Sequence, residues 1–294
     1  MMNRRDLLSG AVTTGAAAVL VSNRAKSEER EGEGTKGIKI VDTNVSLFQW
    51  PPRRLPLDDT DALVKKLRSL GIVEAWAGSF EGVLHRDIAS VNRRLAEACK
   101  SRPELTAIGS INPMLPDWEH DLRRCIKEHT MPGIRLHPNY HGYTLNDPRF
   151  ARLLALATAA GRFVQIAAAM EDTRTQHPML RAADVDLAPL ADLMPSIARA
   201  RVQILNYRPR SRQLEKLAKT PGVFFDTARV EGTDGVSKLI KKVAPGRVMF
   251  GSHAPFLIPE AALIRVHESS ILDEAALRAV LSGNAKQGFG KAAV

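Results

Sequence analysis

Cysteine is scarce: 2 in 294 residues, too few for a disulfide scaffold or a zinc-ribbon protein. Aromatic residues make up only 5% of the chain, which argues against a stacking platform for single-stranded nucleic acid. Glycine (20) and proline (17) follow no period, which excludes a collagen-like or low-complexity chain. No apolar run reaches the ~20 residues that a helix needs to cross a ~30 Å bilayer, so no stable membrane insertion is expected. No Gly-x-Gly-x-x-Gly opens a helix and no Gly-Lys-Ser/Thr phosphate loop occurs. A Gly-x-Ser-x-Gly nucleophile elbow is also missing.

What is present is ordinary globular material, 44% hydrophobic and 25% charged, ample for a core. The net charge of +10, from 42 Lys and Arg against 32 Asp and Glu, raises the question of a nucleic-acid partner. The basic residues come in short pairs, such as Lys65-Lys66, Arg93-Arg94, Arg123-Arg124 and Lys241-Lys242. Each pair lies in a stretch of helical periodicity and reads as a solvated helix face, so no nucleic-acid partner is expected.

The N-terminus reads as an address. Arg4-Arg5 followed by Leu7-Leu8 and a mildly apolar run from Gly10 to Val21 has the pattern of a twin-arginine signal peptide over residues 1–25. It predicts handling by the twin-arginine export machinery and a periplasmic or secreted location. Residues 26–37 are charged, contain glycine and carry no apolar side chain, the composition of a flexible linker. The folded part is expected over 38–294.

From Ile38 onward, short β-branched runs alternate with amphipathic ones. Strands are predicted at Ile38–Val41, Ile72–Ala77, Leu105–Ile111, Gly133–Leu136, Phe163–Ala168, Val202–Leu205, Val223–Asp226 and Arg247–Gly251, each followed by a helix. Eight such units over about 250 residues have the rhythm of an α/β (β/α)8 TIM barrel. An open doubly wound sheet is the competing architecture, and the missing glycine fingerprint counts against it.

Barrel chemistry sits in the loops that leave the C-terminal strand ends. Of the 8 histidines, His85, His137, His141, His177 and His253 fall in such loops. The strand ends add Asn44, Ser46, Arg135, Asn206, Arg208, Asp226 and Arg229. His253 is the candidate general acid or base near neutral pH, Asp226 the carboxylate that would orient it, and His137 a further catalytic candidate. Arg135, Arg208 and Arg229 suit a small anionic substrate. Asn44, Asn139, Tyr140, His141 and Asn206 complete the candidate substrate-binding set.

The segments Ile40-Val41-Asp42-Thr43, Gly133-Ile134-Arg135-Leu136-His137-Pro138, Val248-Met249-Phe250-Gly251-Ser252 and Gly283-Asn284-Ala285 occur in this order. Together the chain resembles the amidohydrolase-related branch of the amidohydrolase superfamily, from about Ile38 to Gly290. That resemblance implies a TIM barrel and a metal-dependent hydrolase or decarboxylase. It also implies a His-x-His pair at the first strand, where this sequence has Asn44 and Ser46. The family's histidines of strands five and six correspond to Ala167 and Asn206, and its strand-eight aspartate to His253. Asn, Ser and Ala are poor substitutes for imidazole at a zinc-type site, so no cofactor and no family-type metal site are expected. A relocated site from His137, His177 and His253 has no support in their spacing.

Two readings follow. One is an exported hydrolase acting on a small anionic or carbonyl-containing substrate, with decarboxylation the variant chemistry. The other is a catalytically inactive barrel that binds a small ligand or a protein partner. A homo-oligomer is compatible with either.

Overall fold

The structure, a computed structural model, describes residues 37–209, 213–268 and 271–289. The chain divides at residue 38; of residues 1–38 only Gly37 and Ile38 are described, and Lys39–Val294 form the other unit. The predicted signal peptide and all but the last residue of the predicted linker lie outside the described residues.

Parallel strands run β1 (Ile40–Leu47), β2 (Ile72–Ser79), β3 (Leu105–Ala107), β4 (Gly109–Ser110), β5 (Gly133–Leu136), β6 (Phe163–Ala167), β7 (Val202–Leu205), β8 (Val223–Asp226) and β9 (Val248–Met249). One ladder has the order β1-β2-β3 and the other β4 to β9 in sequence. Ile108 separates β3 from β4, and its N–H donates to Ala77 O at 2.8 Å, so the nine segments occupy eight positions of one ring. The ring returns to β1 through Thr43 N to Phe250 O (2.9 Å), His253 N to Asn44 O (2.8 Å) and Ser46 N to Ala254 O (2.9 Å). This is the predicted TIM barrel.

The helices are α1 (Thr60–Ser69), α2 (Ile88–Lys100), α3 (Trp118–Lys127), α4 (Pro138–His141), α5 (Pro148–Ala159), α6 (Ala188–Leu193), α7 (Gln213–Lys219), α8 (Gly235–Lys242), α9 (Pro259–His267), α10 (Glu274–Arg278) and α11 (Asn284–Phe289). Aspartates begin several of them. Asp59, Asp87, Asp147 and Asp273 accept from Ala62, Ser90, Arg149 and Ala276 N–H groups, which otherwise lack intrahelical partners. Among the described residues no helix is long and apolar enough to cross a membrane. Cys99 and Cys125 are buried free thiols, and burial raises both to about 12.

Three expectations needed correction. The first strand is predicted to stop at Val41, yet β1 continues to Leu47, because Asp42, Thr43 and Asn44 are buried and hydrogen-bonded within the barrel. The third predicted strand is split at Ile108. The helix predicted over Leu187–Ala198 closes at Leu193 and passes into a 3₁₀ turn at Met194–Ser196, around Pro195.

Aromatic groups close both ends of the barrel. Near the strand starts, Phe289 of α11 packs on Phe163 and Phe224, ring centroids 4.6 Å apart in each case. Beyond the C-terminal strand ends, Trp50 packs on Phe80 (5.5 Å), Phe256 (5.1 Å) and Tyr140 (6.0 Å).

Candidate functional site

The interior between these aromatic ends is polar. Arg135, Gln165 and Gln203 are in register on β5, β6 and β7. All three are buried. The Arg135 guanidinium donates to Gln165 Oε1 (2.9 Å), Val45 O (2.8 Å), Ser46 Oγ (3.3 Å) and Trp76 O (3.2 Å). Gln165 Nε2 donates to Thr43 O and Gln203 Oε1, and Gln203 Nε2 to Thr43 Oγ1. Burial lowers Arg135 to about 10, against the opposing pull of Asp226 and Asp42. Arg135, expected in the substrate-binding set, instead ties β1 and β2 to β6. Gly78 beside it has no room for a side chain, since a Cβ would lie 2.6 Å from Arg135 Nη1.

Above this layer, Asn44 Nδ2 donates to Asp226 Oδ2 (2.6 Å) and Asn206 Oδ1 (2.8 Å). The Asn206 N–H donates to Asp226 Oδ1 (3.0 Å), and its Nδ2 to Ala169 O (2.8 Å). The two asparagines predicted to hold a substrate oxygen therefore hold Asp226 and each other. Asp42 Oδ1 accepts from the N–H groups of Asn44 (3.1 Å) and Ser252 (2.9 Å). Gly251 lets these chains meet, because a Cβ there would lie 2.9 Å from Asp226 Cβ and 3.0 Å from Asn44 Cβ.

Burial is the chief cause of raised values at both carboxyls, about 6 for Asp42 and about 7 for Asp226. An acid raised on folding binds more protons in the folded than in the unfolded state between the two pKa values. Its stabilising share is therefore greatest at low pH and declines as pH rises from about 4 to about 7. In Asp226→Asn this share is gone. Denaturant unfolding at a series of pH values should show the decline flattened by up to about 1.4 kcal/mol per pH unit. Equal slopes in the two proteins would contradict a neutral buried Asp226.

His253 sits at the β1–β9 seam with a left-handed backbone, φ 58°. Its Nε2 lies 2.8 Å from Met170 O, so Nε2 carries the proton and Nδ1 the lone pair. Nδ1 is buried and has no partner among the described residues. The ring stacks on Phe256, centroids 5.0 Å apart. Burial lowers His253 to about 3, and Arg229 and Arg135 reinforce the shift. The expected pairing of His253 with Asp226 does not form, because the Met170 carbonyl takes the imidazole N–H and the asparagines take the carboxylate. His137 is buried, its Nδ1 likewise without a partner among the described residues, and burial holds it well below the usual histidine value. Its ring lies 5.8 Å from that of His141, whose Nε2 meets Gly82 O at 3.0 Å. Burial lowers His141 to about 4 and raises Tyr140, whose hydroxyl has no partner among the described residues, to about 12.

The loop after β6 carries Met170, Glu171 and Asp172. Buried Glu171 pairs with Arg53 at 3.0 Å, and Asp172 with Arg208 at 3.2 Å. Arg229 is buried and donates from Nη2 to the same Met170 carbonyl (3.2 Å) that holds His253. Asn139 donates to Ala183 O (3.0 Å), joining α4 to this loop. His85 and His177 are exposed. Sequence reasoning missed Gln165, Gln203, Trp50, Phe80, Phe256 and Met170. A glutamine inside an apolar strand run is a readable sign of an interior partner, whereas a main-chain carbonyl leaves no sign.

The model of the amidohydrolase family matches residues 41–291. The chain belongs to the amidohydrolase family. No curated protein sequence matches it. Among solved structures it is similar to 2,6-dihydroxybenzoate decarboxylase complexed with 2,6-dihydroxybenzoate: 14% identity, TM-score 0.66, covering 86% of this chain and 98% of that one. It is similar also to 5-carboxyvanillate decarboxylase from Novosphingobium aromaticivorans, complexed with manganese and 4-hydroxy-3-methoxy-5-nitrobenzoic acid: 13% identity, TM-score 0.67, covering 87% and 97%. A third neighbour is a putative amidohydrolase from Staphylococcus aureus: 9% identity, TM-score 0.66, covering 85% and 99%. At such identities the likeness shows the shared fold.

The expectation of an amidohydrolase without a cofactor is corrected by these comparisons, since a decarboxylase of the same fold holds manganese. In this chain, no three His, Cys, Asp or Glu side chains among the described residues are grouped to hold a metal ion. Asp226, Asp42 and His253 direct oxygen or nitrogen atoms at asparagines and main-chain groups instead. The described residues do not fit such an ion.

Proposed function

We propose that this amidohydrolase is an exported enzyme that hydrolyses a small anionic, carbonyl-containing substrate at the barrel mouth. The observation that carries the reading is the bare, buried Nδ1 of His253, fixed in one tautomer by Met170 O. Burial, reinforced by the charges of Arg229 and Arg135, now holds the imidazole far below its usual value. A bound anion offsets that charge and makes the ring a better base only when substrate is in place. Nδ1 then takes a proton from water as the water oxygen attacks the carbonyl carbon, and returns it to the leaving group when the C–X bond breaks. The Tyr140 hydroxyl supplies a donor for the developing oxyanion. The aromatic wall of Trp50, Phe80 and Phe256 excludes bulk water and strengthens these interactions.

Decarboxylation is the second reading, favoured by the decarboxylases among the structural neighbours. Carboxylate-bearing aryl esters and lactones, alongside hydroxybenzoates, should be incubated with the full chain, with and without manganese, in a pH-stat with CO₂ detection. Acid release without CO₂ is expected. CO₂ release would replace hydrolysis with decarboxylation, and saturable binding with no turnover would leave an inactive binder. Arg4-Arg5 and the weakly apolar run after them support periplasmic export. A Lys-Lys replacement of that pair should retain the protein in the cytoplasmic fraction, and unchanged export would refute this route.

A further inference from the structure

Between α7 and α8, beside Arg229, lies a cavity of about 140 Å³. Leu214, Val230 and Leu239 give it an apolar lining, while Arg229, Lys238 and Lys242 give it positive charge. Among the described residues that line it, Glu231 alone is acidic. Lys238 and Lys242 are exposed, as surface lysines usually are. Arg229 is different: only 5% of its surface is exposed, and its Nε–H has no partner among the described residues. A buried guanidinium donor without an acceptor costs about as much as a lost charged hydrogen bond. Its desolvation also lowers the Arg229 pKa.

We infer that this cavity is a binding site for a small organic carboxylate with a short apolar tail. A planar guanidinium presents paired N–H groups that match a carboxylate better than a lysine does. The leucines and valine beside it bury a tail of a few carbons, which inorganic phosphate lacks. Lys238 keeps two N–H groups free of its bond to Thr233 O. The site is separate from the barrel mouth but joined to it, because Met170 O accepts from both Arg229 and His253. It does not rest on the catalytic reading.

Calorimetric titration of the full chain with butyrate tests this, with 1-butanol and inorganic phosphate as comparison probes. Saturable butyrate binding is expected, with both comparison probes at least about tenfold weaker. Arg229→Gln should weaken butyrate at least about tenfold. Lys238→Met/Lys242→Met, at exposed positions that folding tolerates, should weaken it severalfold and flatten its salt dependence. The inference is overturned if butyrate does not saturate, if phosphate binds as tightly, or if the double lysine variant binds like the parent.

Discussion

His253→Gln should lower turnover about 10²–10⁴-fold, the usual contribution of a positioned general base. Glutamine can still donate an N–H toward Met170 O, which holds His253 Nε2 at 2.8 Å, so the loop anchor survives. What it removes is the lone pair on Nδ1. The KM should stay within a few-fold, because the Tyr140 hydroxyl and the aromatic wall of the mouth are untouched. His253→Ala should show the same loss of turnover and in addition a drop in stability, from the lost bond and the lost stack on Phe256. Steady-state kinetics on the substrate that the pH-stat screen identifies would decide. A glutamine variant with undiminished kcat would remove His253 from the chemistry.

Arg135→Met should destabilise the fold by about 3–5 kcal/mol, the range for removing one member of a buried charged network. Methionine leaves Gln165 Oε1, Val45 O and Trp76 O without the donors that now serve them. It also leaves buried Asp42 and Asp226 without the positive charge that favours their ionised forms. At about 2–4 °C per kcal/mol for a chain of this size, the melting temperature should fall by about 10 °C. Arg135→Lys should recover little, since one ammonium cannot reach acceptors on β1, β2 and β6 together. Denaturant unfolding of the three proteins checks the ranking. A midpoint unchanged in Arg135→Met would mean that the guanidinium does not brace the barrel.

The runs Gly133–Leu136, Val202–Leu205 and Val223–Asp226 end in the structure where the sequence pattern ends them. They are buried throughout or nearly so, and polar or glycine-rich neighbours mark their limits. β1 was cut short because Asp42-Thr43-Asn44 has turn composition. Its long-range hydrogen-bond partners lie 162 or more residues away, at Asp226, Asn206 and Phe250. His253 and Asp226 were legible as strand-end residues, but their separation was not. It depends on Met170 O, a main-chain atom brought in by the loop after β6. Arg135 was legible as a cation near the mouth, and only the register Arg135–Gln165–Gln203 shows it facing the interior.

The sequence by itself determined the alternation of strand and helix, the barrel architecture, and which side chains reach the C-terminal strand ends. Those follow from periodicity and punctuation, which act over neighbouring residues. The tertiary structure decided which of those side chains are braces and which keep an unpartnered atom. That depends on donors and acceptors that meet only when the ring closes between β9 and β1. The same closure buries the carboxyls and imidazoles, and burial sets their protonation.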